Sequence, residues 1–229
     1  MLDLLSQYWP TLLVGQYPNG PLGGLALTLI LAALGLLMSL PLALLIALAR
    51  VSPFGALRVA SKALVNMVRG MPLLMLIFWA YFVVPKLTGQ VVSGFWTLFF
   101  ALVVYESAYL SEVIRSGIEA VPRGQIEASR SLGVGYWTTM RKVVLPQALF
   151  NVLPSMTSQF VSTIKETSLG YVISVNELTF AANQINNLVL TQPLQVFGIL
   201  AIIYFLVCFS LSRGLSWLDL HIRRSRAMA

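Results

Sequence analysis

Long apolar runs separated by short basic segments dominate the hydrophobic pattern of the chain. The clearest run extends from Leu22 to Ala49 without a charged residue, and it exceeds the ~20 apolar residues that a helix needs to cross a bilayer. Window hydropathy predicts four more membrane helices, at about residues 64–84, 91–114, 143–164 and 193–212. The pattern therefore predicts an all-α, polytopic membrane protein with about five spans.

Prolines and glycines mark the places where the predicted spans should bend. Pro41 lies inside the first predicted span and Pro154 lies inside the fourth. Each proline removes one backbone hydrogen bond, so each is expected to kink its helix. The tripeptide Gly70-Met71-Pro72 interrupts the second span, and we expect a break in that helix there.

The distribution of Lys and Arg predicts how the chain is oriented in the membrane. The segments 50–69, 115–142 and 213–229 carry thirteen of the fifteen basic residues. Because cytoplasmic segments of membrane proteins are enriched in Lys and Arg, we expect these three segments in the cytoplasm. The N-terminus is accordingly predicted to lie outside and the C-terminus inside.

Three segments follow from this topology. Residues 1–21 are predicted to form an outer interfacial segment, since Tyr8 and Trp9 carry rings that favour the headgroup level. Residues 22–220 are predicted to form a single transmembrane domain. Residues 221–229 are predicted to form a basic cytoplasmic tail attracted to anionic lipid.

Composition excludes several classes of protein. Hydrophobic residues make up 58% of the chain and charged residues only 10%, far below the roughly 25% charged residues of a soluble domain. The net charge of +7 does not indicate nucleic-acid binding, because the basic residues lie beside apolar runs. The chain has no G-x-x-x-x-G-K-[ST] or H-E-x-x-H motif, its one histidine is His221, and its one cysteine, Cys208, lies in an apolar run. We expect no catalytic site, metal site or cofactor on this chain.

A polar passage, EASRSLGVGYWTTMRKVVLP (residues 127–146), follows the third predicted span. Pro122 suits the first turn of a helix, and Gly133 is placed to end that helix in a left-handed conformation. Arg123 and Glu127 are four residues apart, so they can pair across one turn. The passage therefore predicts a short, bounded helix in the longest internal cytoplasmic segment.

The same predicted helix carries a narrow apolar strip. Ala128 and Leu132 are four residues apart and share one face. Two interpretations remain open on the residues alone. The segment is either a solvated connector, whose ion pairs contribute little, or a docking surface for another protein.

Charged residues inside the predicted spans are candidates for function, because charge is costly in hydrocarbon. Glu106 lies near the middle of the third span and is followed by Ser107. Its carboxylate could bind an ammonium group, or it could pair with an arginine or the backbone and so lock two helices together. Glu112 lies closer to the cytoplasmic end, where it can pair with Arg115 or lie in water, and we expect its role to be structural.

The residues at the outer end of the fourth span also allow either a ligand-binding or a structural interpretation. Lys165, Glu166, Thr167 and Ser168 present a cation, an anion and two hydroxyl groups in four consecutive residues. Such a set matches a zwitterion with one ammonium and one carboxylate group. It is equally compatible with a Lys–Glu pair at a helix terminus.

Residues 127–146 resemble the cytoplasmic signature of ATP-binding-cassette importer permeases, E-A-A-x3-G-x9-I-x-L-P. The spacing is complete, and the departures are Ser129 for alanine and Val143 for isoleucine. Three further segments resemble the polar amino acid permeases of the histidine/glutamine/glutamate type, with glutamate/aspartate permeases the nearest likeness: residues 69–85, 105–128 and 165–178. The resemblance covers about residues 20–220.

This resemblance implies the permease subunit of an ATP-driven amino acid importer in the bacterial inner membrane. The short helix would fit a cleft on an ATPase subunit, with Glu127, Ala128 and Gly133 in that role and Leu132 and Arg123 beside them. The implied partners are two cytoplasmic ATPase subunits that hold ATP and Mg²⁺, a second identical or homologous permease, and an external solute-binding protein. The implied substrate is a polar or acidic amino acid, glutamate or aspartate. The alternative is a carrier or channel driven by an ion gradient, which usually shows paired repeats.

Overall fold

The computed structural model describes residues 2–227. Within that range the regular structure is helical, and the strand-like contacts are two isolated backbone bridges, between Gly15 and Leu22 and between Gly24 and Glu177. The all-α prediction is confirmed. Residues 228 and 229 of the predicted tail lie outside the described range.

Twelve α-helices follow one another along the described chain. They are α1 (Leu2–Val14), α2 (Gly24–Val51), α3 (Gly55–Arg69), α4 (Leu73–Phe78), α5 (Val84–Thr88), α6 (Gly94–Glu119), α7 (Arg123–Ser131), α8 (Tyr136–Thr139), α9 (Leu145–Asn151), α10 (Leu153–Glu166), α11 (Leu178–Val189) and α12 (Pro193–Ala227). Two π-helical turns join α4 to α5 (Trp79–Val83) and α8 to α9 (Met140–Val144), and a 3-10 helix (Thr167–Ile173) follows α10.

Three of the described helices are long and apolar enough to cross a membrane: α2, α6 and the part of α12 from Pro193 to Trp217. A fourth candidate is the pair formed by α3 and the helical segment Leu73–Thr88, whose axes differ by 99°. The break at Gly70–Pro72 is confirmed, but the predicted span at 64–84 is not one straight helix. The proline restricts the residue before it to an extended backbone, so the helix turns a corner.

The predicted fourth span is also divided. Val152 separates α9 from α10, and Pro154 occupies the first turn of α10. The expected disturbance of the span near Pro154 takes the form of a break at Val152, and the proline lies in the first turn of the new helix, where its missing N–H group is not needed. Pro41, in contrast, lies inside the continuous helix α2. The total of five membrane spans therefore remains a prediction.

Helices α2 and α6 pack along each other at the centre of the bundle. Small residues of α2, Ala43 and Ala47, are buried against Leu110 and Ile114 of α6, since small side chains let membrane helices approach closely. The α7-proximal end of α6 also meets α9. A Cβ atom at Gly117 would lie 2.5 Å from Val152 Cγ1 and 2.7 Å from the Ala148 carbonyl oxygen, so only glycine fits.

The opposite end of the bundle is closed by α1 and α11. Leu4 and Leu12 of the predicted interfacial segment are buried against α11 and α12. Glu177 caps α11, accepting hydrogen bonds of 2.8 Å from the backbone N–H groups of Thr179 and Phe180. The C-terminal end of α12 continues past residue 220 without a break. No structural boundary therefore marks the start of the predicted tail.

Candidate functional site

The polar passage after α6 folds as the sequence predicts, into a short helix with defined ends. Helix α7 begins directly after Pro122 and runs to Ser131. Gly133 has a φ of +75°, the left-handed conformation that glycine adopts without strain. Its N–H group donates to the Arg130 carbonyl oxygen at 2.9 Å. The left-handed end of the helix at Gly133 is confirmed.

One face of α7 is fixed to the bundle. The hydroxyl groups of Ser129 and Thr139 lie 2.9 Å apart, and both residues are buried. The Gln147 amide of α9 donates to Gln125 Oε1 at 2.5 Å. These contacts hold α7 against α8 and α9, so that its orientation is set by the membrane helices.

The other face of α7 is exposed. Glu127 and Ala128 are exposed, and Leu132 has 82% of its surface accessible. The predicted ion pair between Arg123 and Glu127 is wrong: the two side chains form no ion pair in the structure. An acidic group and an apolar ridge are therefore both available to a partner protein.

Tyr136 ties the segment after α7 to the end of α2. Its hydroxyl group donates to the Val51 carbonyl oxygen at 3.0 Å, and burial raises the pKa of this phenol above its ordinary value of 10.0. Trp137 is exposed, whereas Met140 and Val144 are buried.

A single carboxylate gathers three arginines near the same end of the bundle. Glu112 pairs with Arg115, as predicted, and also with Arg50 of α2. Arg69, the last residue of α3, lies 3.7 Å from Glu112 and 5.2 Å from the Tyr109 ring centre. This ion cluster fastens α2 and the corner after α3 to α6.

Glu106 lies at the midpoint of α6 and is completely buried. The Gln159 amide of α10 donates to Glu106 Oε2 at 3.0 Å. Glu106 Oε1 is buried without a hydrogen-bond partner among the described residues. Neither an arginine nor the backbone satisfies this carboxyl group, so the expected structural pairs are absent at Glu106.

Glu166, at the end of α10, completes the arrangement around Glu106. The two carboxyl groups lie close to each other, and Thr163 also lies beside Glu106. Glu166 Oε2 is, like Glu106 Oε1, buried and unpaired in the part of the chain that is described. The pair has acceptor capacity left for a ligand that carries donors.

The structure separates the other predicted substrate-path residues from this pair. Ser107 donates to the carbonyl oxygens of Val103 at 2.5 Å and Ser39 at 3.3 Å, and so faces α2. Thr167 donates to the Ile164 carbonyl oxygen and Ser168 to that of Lys165. Successive residues of a helix point about 100° apart, so Lys165 and Glu166 face different sides of α10.

Lys165 lines a polar groove between α10 and α12 that the sequence analysis missed. The groove has a volume of about 650 Å³. Its polar lining repeats at the same spacing on both helices: Ser158, Ser162 and Lys165 on α10, and Ser212, Ser216 and Asp219 on α12. A spacing of four and then three residues places each set on one helix face, and this periodicity was visible in the sequence.

No metal centre is formed by the described residues, since they contain no group of three or more His, Cys, Asp or Glu side chains able to hold an ion. Cys208 lies half-buried in α12. Three polar features treated so far are candidates for the transport function: the exposed face of α7, the Glu106–Glu166 pair and the groove beside Lys165.

A solved structure described as "Crystal structure of an amino acid ABC transporter with histidines" matches the fold with a TM-score of 0.84 and 32% identity, over 96% of this chain and 99% of that one. The fold is thus that of a permease of ATP-binding-cassette importers. Residues 39–224 match the family "Binding-protein-dependent transport system inner membrane component". The chain belongs to this family and is a multi-pass inner-membrane protein.

Curated relatives agree with this assignment. The chain is 34% identical over 208 residues to "Inner membrane amino-acid ABC transporter permease protein YhdY" of Escherichia coli (strain K12), covering 89% of this chain but only 57% of that protein. It is 36% identical over 211 residues to "L-cystine transport system permease protein TcyB" of Bacillus subtilis (strain 168), covering 92% and 86%. The chain therefore corresponds to nearly all of TcyB but to little more than half of YhdY.

Proposed function

We propose that the chain forms the translocation path of an ATP-driven importer of polar amino acids and that α7 couples this path to a cytoplasmic ATPase. The observation that carries the proposal is the geometry of α7. Its complete signature spacing coincides with a helix whose inner face is fixed and whose outer face presents Glu127, Ala128 and Leu132. A fixed helix transmits displacement, whereas a mobile connector would absorb it.

The assembly we propose contains two ATPase subunits, which bind ATP and Mg²⁺, and a second permease, identical or homologous. An external solute-binding protein delivers the amino acid. The distribution of basic residues supports a cytoplasmic position for α7 and the C-terminus and an outer position for α1. Only 11% of the most apolar stretch of α12 is buried within one chain. The rest of this stretch is available to contact lipid and the second permease.

The substrate path is proposed to pass the Glu106–Glu166 pair. An α-amino acid carries an ammonium group with three N–H donors, and the pair offers two buried acceptor oxygens without partners. Lys165 faces the separate groove between α10 and α12, so it is not placed to bind the carboxylate of an amino acid held at this pair. Ser107, Thr167 and Ser168 then support the helices around the path, because their hydroxyl groups are bonded to backbone carbonyls.

The narrower substrate proposal is glutamate or aspartate. Relatives of the chain are named for L-cystine, for glutamate/glutamine/aspartate/asparagine, for glutamate/aspartate and for arginine. These amino acids share the zwitterionic group and differ in the side chain. The Glu106–Glu166 pair accounts for recognition of the shared ammonium group and does not distinguish the side chains.

The test is ATP hydrolysis by the assembled transporter in proteoliposomes, with the solute-binding protein loaded with each amino acid in turn. We expect ATP hydrolysis to be stimulated by the binding protein carrying glutamate or aspartate. Stimulation by another amino acid alone would correct the substrate. Uptake that persists without ATP and collapses with the proton gradient would overturn the importer and favour the ion-driven carrier.

A further inference from the structure

A cavity of about 660 Å³ lies at the end of the bundle that carries α7. Its walls come from the end of α2, the start of α3, the end of α6 and the segment from α7 through α8 to α9. Four arginines line it, Arg50, Arg58, Arg123 and Arg130, and Glu119 is its acidic residue. The cavity is therefore strongly basic.

Most of this positive charge is not neutralised by the protein. Glu119 is already paired with Arg115. Among the residues that the structure describes, Arg58, Arg123 and Arg130 form no ion pair, and Arg58 donates only to the Ser52 carbonyl oxygen, at 3.4 Å. Three guanidinium groups that line one cavity without an ion-pair partner favour an anionic ligand.

The rest of the lining is mostly apolar. Tyr136 and Thr139 are polar, but the Tyr136 hydroxyl is bonded to Val51 and the Thr139 hydroxyl lies against Ser129. The apolar side chains come from four helical segments and from the connection between α6 and α7: Val51, Ile118, Val121, Ile126, Met140 and Val144. A ligand that fills this cavity must present an anion and an apolar part together.

An anionic phospholipid meets both conditions, since its phosphate accepts charge-assisted hydrogen bonds from guanidinium groups and its glycerol and proximal acyl chains cover apolar side chains. A free phosphate or an acidic side chain of an ATPase subunit would leave the apolar lining uncovered. Basic pockets between membrane helices on the cytoplasmic side bind such headgroups. We propose that this cavity binds the headgroup of an anionic phospholipid and thereby links α7 to the corner between α2 and α3.

The link has a structural consequence. Arg58 belongs to α3, whereas Arg123 and Arg130 lie at opposite ends of α7. A phosphate held between them bridges two elements that are far apart in sequence. The site is separate from the substrate path, because Glu106, Glu166 and Lys165 do not line the cavity, and it does not depend on which amino acid is transported.

The experiment measures phospholipid retained by the assembled transporter, purified from nanodiscs of phosphatidylglycerol and phosphatidylethanolamine and analysed by native mass spectrometry. Each of Arg58→Gln and Arg130→Gln is expected to weaken phosphatidylglycerol binding about fivefold. Arg141→Gln is the matched control, because Arg141 is exposed at the same end of the bundle but outside the cavity. This control should retain phosphatidylglycerol as the wild type does. Arg58→Lys keeps the charge and should restore most of the binding lost in Arg58→Gln.

Equal retention in the wild type and in both glutamine variants would overturn the proposal. It would also be overturned if inorganic phosphate displaced all phosphatidylglycerol from the wild type, since the site would then take the free anion. Retention only by permease stripped of its ATPase subunits would show that an acidic side chain of the ATPase occupies the cavity, and would overturn it as well.

Discussion

The Gln159 side chain donates a hydrogen bond of 3.0 Å to Glu106 Oε2 and joins α10 to α6 at the middle of the bundle. The other oxygen, Glu106 Oε1, has no partner within the described residues. The two carboxylate oxygens of Glu106 therefore have different roles. One holds two helices together, and the other is available to a ligand.

Replacement of Glu106 by glutamine should distinguish the contribution of this residue to helix packing from its contribution to ligand binding. Glu106→Gln keeps a carbonyl oxygen that can accept the bond from Gln159, so the helix contact is expected to survive. It removes the negative charge, and hydrogen bonds to charged groups contribute about 1.5–3 kcal/mol. We expect the concentration of loaded binding protein that half-stimulates ATP hydrolysis to rise about 10- to 100-fold.

Gln159→Leu is the matched control for this variant. It removes the bond between the helices and leaves the charge of Glu106 in place, so it should lower thermal stability. An unchanged response of ATP hydrolysis in Glu106→Gln would return this carboxyl group to a purely structural role.

Charge reversal on the exposed face of α7 should uncouple the transporter. Glu127→Lys changes an exposed residue of α7 that forms no ion pair with Arg123, so membrane insertion is expected to be normal. ATPase subunits should be lost on purification, or ATP hydrolysis should no longer respond to the loaded binding protein. Lys142→Glu reverses charge at an exposed position outside α7 and should behave as the wild type. Full ATP-dependent uptake by Glu127→Lys would remove α7 from the coupling role.

A methyl group at Gly117 should disturb the contact between α6 and α9. The added Cβ would lie 2.5 Å from Val152 Cγ1, and overpacking of this kind costs about 1–3 kcal/mol. We expect Gly117→Ala to lower the melting temperature of the purified protein. Gly214→Ala is the control, because nothing lies within 4 Å of its Cβ position. Equal melting temperatures for the two variants would contradict the close approach.

Glu177 should make stability depend on pH. This residue lies in the connection before α11, and burial raises its pKa from 4.5 to about 7. Between these two values the folded state keeps a proton that the unfolded state has released. Stability contributed by the protonated group is therefore present at low pH and is lost as the pH rises towards about 7.

Melting temperatures across this range provide the measurement for Glu177. Those of the wild type should fall as the pH rises from about 4.5 to about 7, relative to those of Glu177→Gln. The other titrating groups are common to both proteins, so the difference isolates Glu177. Parallel curves for the two proteins would contradict the assignment.

Local features of the fold were predictable from the sequence. The apolar runs that form α2, α6 and α12 are continuous in the chain, and hydropathy averages over such windows. The ends of α7 depend on Pro122 and Gly133, whose backbone preferences act within one turn. These features require no knowledge of distant contacts.

Features that depend on packing were not predictable. Glu106 and Glu166 are sixty residues apart, and only the approach of α10 to α6 brings their carboxyl groups together. The expected pair of Arg123 and Glu127 failed because an exposed pair of this kind gains only about 0.2–0.5 kcal/mol.

The close packing of α6 and α9 at Gly117 has a consequence for how α7 is attached to the bundle. Helix α7 follows α6 after a connection of three residues, 120–122, its first turn is bonded through Gln125 to Gln147 of α9, and its far end is bonded through Ser129 to Thr139 of α8. Because α6 and α9 are in contact at Gly117, α7 is attached to two helices that pack directly against each other. Under the proposed coupling role, a displacement of α7 is therefore expected to move α6 and α9 together.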